Sequence, residues 1–215
     1  MLTPSESTVN LDPRPVSKQD FRTLLDHAQG DDRAMVLPAL NMAAYLQEVV
    51  RLRWDEIRDG CVVTRRNKTG KCIRVAVFWE ETLEALASIK RRGEFVFDAN
   101  TGSPLSISGA EKRFVKLRDA AGLAVTSSQL RDGAYTAAVR ANVTEGIVKL
   151  LVGHRGSGLS DHYVARSPEM VKPACDAVYA AYFTGDAGEA SNEQSSSYTC
   201  VPTLRLKPAV PASAV

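Results

Sequence analysis

The stretch Leu151-Val-Gly-His-Arg-Gly-Ser-Gly-Leu-Ser-Asp-His-Tyr163 is the most informative part of the chain, because it places a phenol nine residues after His154. Upstream, Arg131 lies in Ser-Ser-Gln-Leu-Arg (127–131), at the predicted start of a helix. A guanidinium, an imidazole and a phenol in this order can together transfer a phosphoryl group to a tyrosine. Each also has a structural explanation, since Gly-His often ends a helix and a single Tyr often packs half-buried. The indication of chemistry therefore rests on the combination and its order.

Two β-rich runs, CVVTRR (61–66) and IRVAVF (73–78), lie in the first half of the chain. The linking segment Asn67-Lys-Thr-Gly70 has glycine in the turn, so the pattern predicts a β-hairpin. Between Cys61 and Val75 there are five basic residues and no acid, which is typical of a surface that contacts phosphate groups of a nucleic acid. The predicted DNA-binding residues of this hairpin are Arg65, Arg66, Lys71 and Arg74.

Most of the remaining chain has helical periodicity, so we predict a mainly α fold with a small antiparallel β-sheet (α+β). Ser17 is predicted to cap the first helix, with Asp20 three residues later. Residues 32–52 form a strongly apolar helical region that Pro38 is predicted to kink or divide. Further helices are predicted over Glu80–Arg91, Ser108–Ala121, Arg131–Arg140, Glu145–Leu151 and from Ser167 onward, with a short strand at Phe95–Phe97.

In their order along the chain, these motifs resemble those of the catalytic domain of the tyrosine recombinases, or phage-type integrases. Leu46-Gln-Glu-Val-Val-Arg-Leu-Arg-Trp54 is similar to the family's Ser/Thr-Glu-Leu-Leu-x-Leu-Arg-Trp block. Lys68 corresponds to a lysine on a β-hairpin, and Ser128-Gln-Leu-Arg131 to His-x-Leu-Arg. The stretch from Leu151 to Tyr163 corresponds to Leu-Gly-His and the nucleophilic tyrosine nine residues later. The resemblance implies the tyrosine-recombinase catalytic-domain fold.

The resemblance also implies a chemical role for each matched residue. Tyr163 would be the nucleophile that forms a 3′-phosphotyrosyl bond with DNA. Arg131 would clamp the scissile phosphate, Lys68 would protonate the leaving 5′ oxygen, and His154 would donate to a phosphate oxygen or orient the tyrosine. Neither a metal ion nor another cofactor is expected, because cationic side chains would supply the electrostatic stabilisation.

Two positions depart from the family pattern. Tyr45 stands three residues before Glu48, where the family has its first arginine, and Ser128 stands where it has the histidine of His-x-Leu-Arg. Loss of one donor to a developing oxyanion typically lowers the rate by ~10²–10³. Two hypotheses therefore stay open: an active but slow strand-transfer enzyme, or a degenerate relative that binds DNA as a binding or regulatory protein. A helical domain without a nucleic-acid role would require the register of the motifs to be coincidental.

The predicted domain organisation follows from composition and from the resemblance. Residues 1–16 are expected to form an extended lead-in, 17–183 the catalytic domain and 184–215 a flexible C-terminal tail. The family's N-terminal domain, which clamps DNA from the opposite face, is expected to be absent, either because the chain is a fragment or because the protein is naturally reduced. The resemblance further implies self-association on double-stranded DNA, from dimer to tetramer, with the tail as a candidate contact.

The composition narrows the possible classes further. No apolar run approaches the ~18 residues that span a bilayer, and MLTPSESTVNLDPRP lacks the apolar core of a signal peptide. We therefore expect a cytoplasmic, nucleoid-associated protein without membrane contact. The net charge of +2 is weak for a nucleic-acid binder, so the argument for DNA depends on where the charges lie. The cysteines lack the Cys-x-x-Cys spacing of zinc sites, and a disulfide framework is not indicated; they are Cys61, Cys72, Cys175 and Cys200.

Overall fold

The computed structural model describes residues 14–65, 73–99, 102–154 and 167–184. These residues are mostly helical, and the described strands form one antiparallel three-stranded sheet in the order β1-β2-β3. The predicted fold class is confirmed. The elements are α1 (Lys18–His27), α2 (Gly30–Asn41), α3 (Leu46–Val49), a 3₁₀ turn (Trp54–Glu56), β1 (Ile57–Arg58), β2 (Cys61–Arg65), β3 (Ile73–Val77), α4 (Glu80–Ala87), α5 (Ile107–Ala120), α6 (Ser127–Arg140), α7 (Glu145–Val152) and α8 (Pro168–Phe183).

Strands β2 and β3 pair in the antiparallel register that the predicted hairpin requires, with Thr64 opposite Arg74 and Arg65 opposite Ile73. Side chains alternate between the two faces of a strand, so Arg74 and Arg65 point to opposite faces. Val63 and Arg65 are exposed, whereas Arg74 is buried beneath the helices. The predicted turn at residues 67–70 lies outside the described residues.

Helix α2 lies at the centre of the core, because residues 34–41 are all buried and the helix contacts α4, α6 and α8. A helix that is apolar on every side is expected to be surrounded by other elements, as here. Although α2 is apolar, it has only 12 residues, which is too short to span a membrane. No helix in the described part of the chain is long and apolar enough to cross a bilayer.

The helical region 32–52 is interrupted after Asn41 and not at Pro38, where we predicted a kink or a break. Helix α2 continues through Pro38 and ends in the segment 42–45, where Ala43 adopts a left-handed conformation with φ of 46°. There Ala44 N–H donates to the Ala39 carbonyl at 2.9 Å and Ala43 N–H to the Leu40 carbonyl at 3.1 Å. This pair of bonds is the Schellman ending of a helix. Burial of α2 on every side outweighs the single backbone hydrogen bond that proline removes.

Several other predicted boundaries need correction. Helix α6 begins at Ser127, so Arg131 is its fifth residue rather than its first. The preceding Thr126 starts the helix early, because its N–H donates to the Gln129 side chain at 2.7 Å. Phe95 forms an isolated bridge with Arg53 instead of a strand, and the predicted helix 80–91 ends at residue 87. The cap of α1 is confirmed, since Asp20 N–H donates to Ser17 Oγ at 2.9 Å.

An aromatic cluster fixes the last helix to the rest of the domain. Tyr182 and Phe183 of α8 pack edge-to-face against Phe21 of α1, with ring centroids 5.3 and 5.8 Å apart. Trp79 packs against Phe183 in the same way at 5.4 Å. Tyr182 approaches α6 so closely that a Cβ at Gly133 would collide with its hydroxyl. The C-terminal end of α8 is therefore fixed against α1 and α6.

Asn41 connects the central helix to the sheet, and we expect Asn41→Ala to lower the free energy of unfolding by about 3 kcal/mol. The buried Asn41 amide donates to the Val77 carbonyl at 3.0 Å. Its oxygen accepts from Trp79 N–H at 2.9 Å and from the Thr82 hydroxyl at 3.0 Å. Urea unfolding followed by circular dichroism measures the effect. Gln47→Ala, at an exposed position of α3, is the control and should change stability by less than about 0.5 kcal/mol.

Candidate active site

The C-terminal ends of helices α2 and α7 meet at the candidate site, and both helices terminate with the same backbone motif. Helix α7 finishes at Gly153, which is left-handed with φ of 67°, and His154 N–H donates to the Lys149 carbonyl at 2.8 Å. This is the Schellman ending already seen at Ala43 after α2. The last carbonyl groups of a helix lack intrahelical partners and carry partial negative charge. The two ends therefore offer acceptors to cations.

Arg131 occupies the space between these helix ends. Its Nη1 donates to the Ala43 carbonyl at 2.5 Å, and its Nη2 donates to the Val152 carbonyl at 3.0 Å. Nη2 also lies 3.0 Å from His154 Nε2. A guanidinium only donates, so this contact makes Nε2 the acceptor and assigns the imidazole proton to Nδ1. The predicted arginine and histidine are thus in direct contact, and His154 is the more exposed of the two.

Arg74 enters the same space from strand β3. Its Nε donates to the Leu151 carbonyl at 3.2 Å, and its Nη2 to the carbonyls of Val152 at 3.0 Å and Ala43 at 3.4 Å. Two of these acceptors are also acceptors of Arg131. Because Arg74 is only 1% exposed, the prediction that it contacts DNA from the surface of the hairpin does not hold in this structure.

Glu48 supplies the carboxylate of this group. Its Oε2 lies 2.9 Å from Arg74 Nη2 and 3.8 Å from Arg131 Nη1, and it accepts from Tyr45 N–H at 3.0 Å. Burial alone would raise the pKa of this carboxyl group. The Arg74 charge and the Tyr45 hydrogen bond outweigh burial, so the pKa is lowered. We call Arg74, Arg131, Glu48 and His154 the arginine cluster.

The two positions that depart from the family pattern both lie beside Arg131. The ring of Tyr45 is stacked on the Arg131 guanidinium, with 4.6 Å between the ring centroid and Cζ, which is within cation–π range. Ser128 lies three residues before Arg131, on the same side of α6, and its hydroxyl is 3.1 Å from the Thr126 hydroxyl. Neither brings a charge, but Tyr45 covers one face of the arginine.

The remaining predicted residues are only partly described. Lys68, Arg66, Lys71 and Tyr163 lie outside the described residues, as do Cys72, Cys200 and the predicted tail after Thr184. Arg65 is exposed at the end of β2 and lines a cleft of about 370 Å³ beside the arginine cluster. Cys61 and Cys175 are free thiols, and burial raises the pKa of the Cys175 thiol to about 12. The cleft is lined by Glu48, Arg51, Arg53, Glu56, Thr64, Arg65, Arg74, Phe95 and Pro104.

Arg74 was predicted to contact DNA from the hairpin surface and not to belong to this buried group, although one signal of burial was available. Arg74 is the single charged residue in the run IRVAVF (73–78), and a run this apolar is typical of a strand that is covered on both faces. Burial of β3 between α7 and α8 gives that arginine buried partners. The carbonyl acceptors at Ala43 and Val152 could not be identified from the sequence, because every residue has a backbone carbonyl.

The mainly helical fold with a small antiparallel sheet is that of tyrosine-recombinase catalytic domains, and the arginine and histidine expected from that resemblance meet at a helix end. The sequence model of the phage integrase family matches residues 15–170. Because this match covers well over half of the chain, the chain belongs to the phage integrase family, and the resemblance read from the motifs is confirmed. No curated protein sequence gives a significant match.

Solved structures show the same fold at low sequence identity. The integrase of mycobacterium phage Brujita matches with a TM-score of 0.67 and 17% identity, over 80% of this chain and 60% of that one. XerA recombinase matches with a TM-score of 0.56 and 20% identity, over 80% and 66%. A lambda integrase dimer bound to a COC′ core site matches with a TM-score of 0.55 and 18% identity, over 74% and 62%. The chain thus spans about three fifths to two thirds of the length of these proteins.

Gly153 provides a test of the helix end that carries His154. We expect Gly153→Ala to lower the free energy of unfolding by about 1–2 kcal/mol, because its φ of 67° is unfavourable for a residue with a Cβ. The new Cβ would also lie 3.4 Å from Arg74 Cβ.

The matched control is Gly146→Ala in the first turn of the same helix, where a Cβ meets nothing within 4 Å. This variant should be neutral or more stable by up to about 1 kcal/mol. Thermal and urea unfolding measure both. Equal effects of the two substitutions would contradict the importance of the left-handed ending.

Proposed function

We propose that the chain is a DNA strand transferase that cleaves and rejoins duplex DNA through a 3′-phosphotyrosyl bond at Tyr163, without a metal ion. Membership of the phage integrase family supports this proposal. The observation that carries it is the 3.0 Å contact between Arg131 and His154. These two residues come from separate motifs and meet at the end of α7, nine residues before Tyr163.

In the proposed reaction, Tyr163 Oη attacks the scissile phosphorus and the bond from phosphorus to the 5′ oxygen breaks. The phenol, whose ordinary pKa is about 10, loses its proton during attack. The leaving 5′ oxygen takes up a proton, and we assign its donation to Lys68. One phosphate ester replaces another of similar energy, so a 5′ hydroxyl of a second strand can reverse the step without ATP.

We assign the phosphate to the edge of the arginine cluster formed by Arg131 Nη2 and His154. The Nη1 side of Arg131 is directed at the buried Ala43 carbonyl, whereas His154 is exposed. The carbonyl bonds hold the guanidinium plane, so it does not need to reorganise as negative charge develops on the phosphate oxygens. His154, with its proton on Nδ1, can reorient to donate to one of these oxygens.

The partner that we propose is double-stranded DNA, with several copies of the chain assembled on it in the nucleoid. Among structures with this fold, lambda integrase is bound as a dimer to a core site and as a tetramer to a Holliday junction. The integrase of transposon Tn1549 is in complex with a circular intermediate DNA. These complexes support a dimer or tetramer on DNA. We further propose the C-terminal residues as the contact between copies.

Covalent trapping on DNA of random sequence tests the proposed reaction and finds the target in the same experiment. The full chain is incubated with a pool of nicked random duplexes, in which the short strand beyond the nick diffuses away after cleavage. We expect a small fraction of the pool to become attached to the protein and to resist SDS. Sequencing of the attached strands would then identify the site.

The control for this experiment is Tyr163→Phe, which removes the nucleophilic oxygen and should abolish the adduct entirely. Arg131→Gln should lower its yield by at least about 10²-fold, because a charged donor to the phosphate is lost. Absence of any adduct from the wild-type protein, on a pool that it demonstrably binds, would contradict strand transfer.

A second function, DNA binding without cleavage, is favoured by one observation. Tyr45 occupies the position of the family's first arginine, and its ring covers a face of Arg131 instead of adding a charge. In this case the chain would act as a regulatory protein that retains the DNA affinity of the family.

The hairpin charges should decide DNA affinity under either function. We expect Arg65→Gln with Arg66→Gln to weaken binding to random duplex and to reduce the slope of log K against log salt concentration by about 2, one unit for each phosphate contact. Fluorescence anisotropy over a range of salt concentrations measures this. Tyr163→Phe should leave affinity and slope unchanged. A slope that does not respond to the hairpin substitutions would contradict phosphate contact at this surface.

A further inference from the structure

We infer that Tyr45 is a positioning residue for Arg131: its aromatic ring holds the guanidinium in the plane from which Nη2 faces a phosphate. This inference rests on the proposed function, because it assumes that Arg131 binds a phosphate. It gives a role to one of the two residues that depart from the family pattern, and it assigns that role to the ring rather than to the hydroxyl.

The first argument concerns what the two carbonyl bonds of Arg131 restrain. Nη1 donates to the Ala43 carbonyl and Nη2 to the Val152 carbonyl. The donors of a guanidinium all lie in its plane, so these bonds fix one edge of the group. A hydrogen bond stays favourable until its angle falls to about 120°, so these two bonds alone tolerate a tilt of the plane.

The second argument is that the ring of Tyr45 opposes this tilt. Its centroid lies 4.6 Å from Arg131 Cζ, so the ring covers one face of the guanidinium. A tilt toward the ring would bring nitrogen atoms into repulsive contact with it, and a tilt away would lose the attraction of the cation for the ring. This attraction is stronger where water is excluded, and the Arg131 side chain is only 5% exposed.

The third argument is that the ring is itself held at a fixed position. Tyr45 N–H donates to Glu48 Oε2 at 3.0 Å, and the Tyr45 carbonyl accepts from Glu48 N–H at 2.9 Å. The neighbouring Ala44 and Leu46 are fully buried. One short stretch of main chain thus presents the Ala43 carbonyl to the edge of the guanidinium and the Tyr45 ring to its face. A group held in this way does not need to reorganise as charge develops on a phosphate.

Comparison of Tyr45→Phe with Tyr45→Leu tests the inference, because both variants lack the hydroxyl and only Tyr45→Phe keeps the ring. The probe is inorganic phosphate, titrated into the full-length protein while the ring of His154, one of three histidines, is followed by NMR. Tyr45→Phe should bind phosphate within about twofold of wild type. Tyr45→Leu should bind it about tenfold more weakly, the factor expected for a desolvated cation–π contact. If Tyr45→Leu does not fold, Tyr45→Met, which also lacks a ring, takes its place.

Two further measurements separate positioning from a purely structural role. The ring current of residue 45 should shield the Arg131 side-chain protons in wild type and in Tyr45→Phe, but not in Tyr45→Leu. On the site found by covalent trapping, Tyr45→Leu should slow adduct formation at saturating DNA about tenfold. Its affinity for DNA should stay within about twofold of wild type, because phosphate contacts at the hairpin decide that affinity.

The matched control is Tyr135→Leu, which makes the same replacement on α6, four residues after Arg131. Tyr135 is 40% exposed, so its ring lies at the surface of the helix. This variant should leave phosphate affinity and the rate of adduct formation within about twofold of wild type.

The possible failures can be told apart. If the wild-type protein binds phosphate and Tyr45→Leu binds it as tightly as Tyr45→Phe, the inference fails and the proposed function stands. The inference also fails if Tyr45→Phe is weakened as much as Tyr45→Leu, since the hydroxyl would then be the effective group. If phosphate does not shift the His154 ring of the wild-type protein at all, both the inference and the proposed function fail.

Discussion

The structure around the site depends on one interaction, the donation of two arginine side chains to the backbone carbonyls at the ends of two helices. Arg131 from α6 and Arg74 from β3 both bond to Ala43, after α2, and to Val152, at the end of α7. A buried carbonyl that loses its donor costs about 1–3 kcal/mol. The same bonds therefore hold sheet and helices together and fix the cations where a phosphate would be bound.

Much of this architecture was predictable from local sequence. The Ser17 cap, the β2–β3 hairpin and the Gly153 helix ending depend on residues close in the chain, and each has a recognisable pattern. The placing of Arg131 and His154 at one site followed from the family resemblance of separate motifs, whereas their direct contact did not. The break after α2 did not follow, because an alanine in the left-handed conformation has no sequence signature of the kind that glycine provides.

What could not be predicted was the surroundings of charged residues. Arg65 and Arg74 were predicted to lie on one basic surface because both belong to the hairpin. In the structure their side chains lie on opposite faces of the sheet, and β3 is buried. The missing arginine at Tyr45 suggested a site with a single guanidinium. The fold instead brings a second one to Glu48 from another element, at 2.9 Å. Only the tertiary structure places these groups side by side.

Because the acceptors are backbone carbonyl groups, the site can tolerate sequence change at these positions during evolution. Substitution of the side chain at 43, 151 or 152 leaves the C=O in place, so point mutation cannot delete these partners as it can delete a glutamate or an asparagine. What descendants of this chain must keep is the path of the main chain through two left-handed turns, together with the arginines that bind to it. Relatives with unlike residues at these positions could still preserve the same electrostatic pocket.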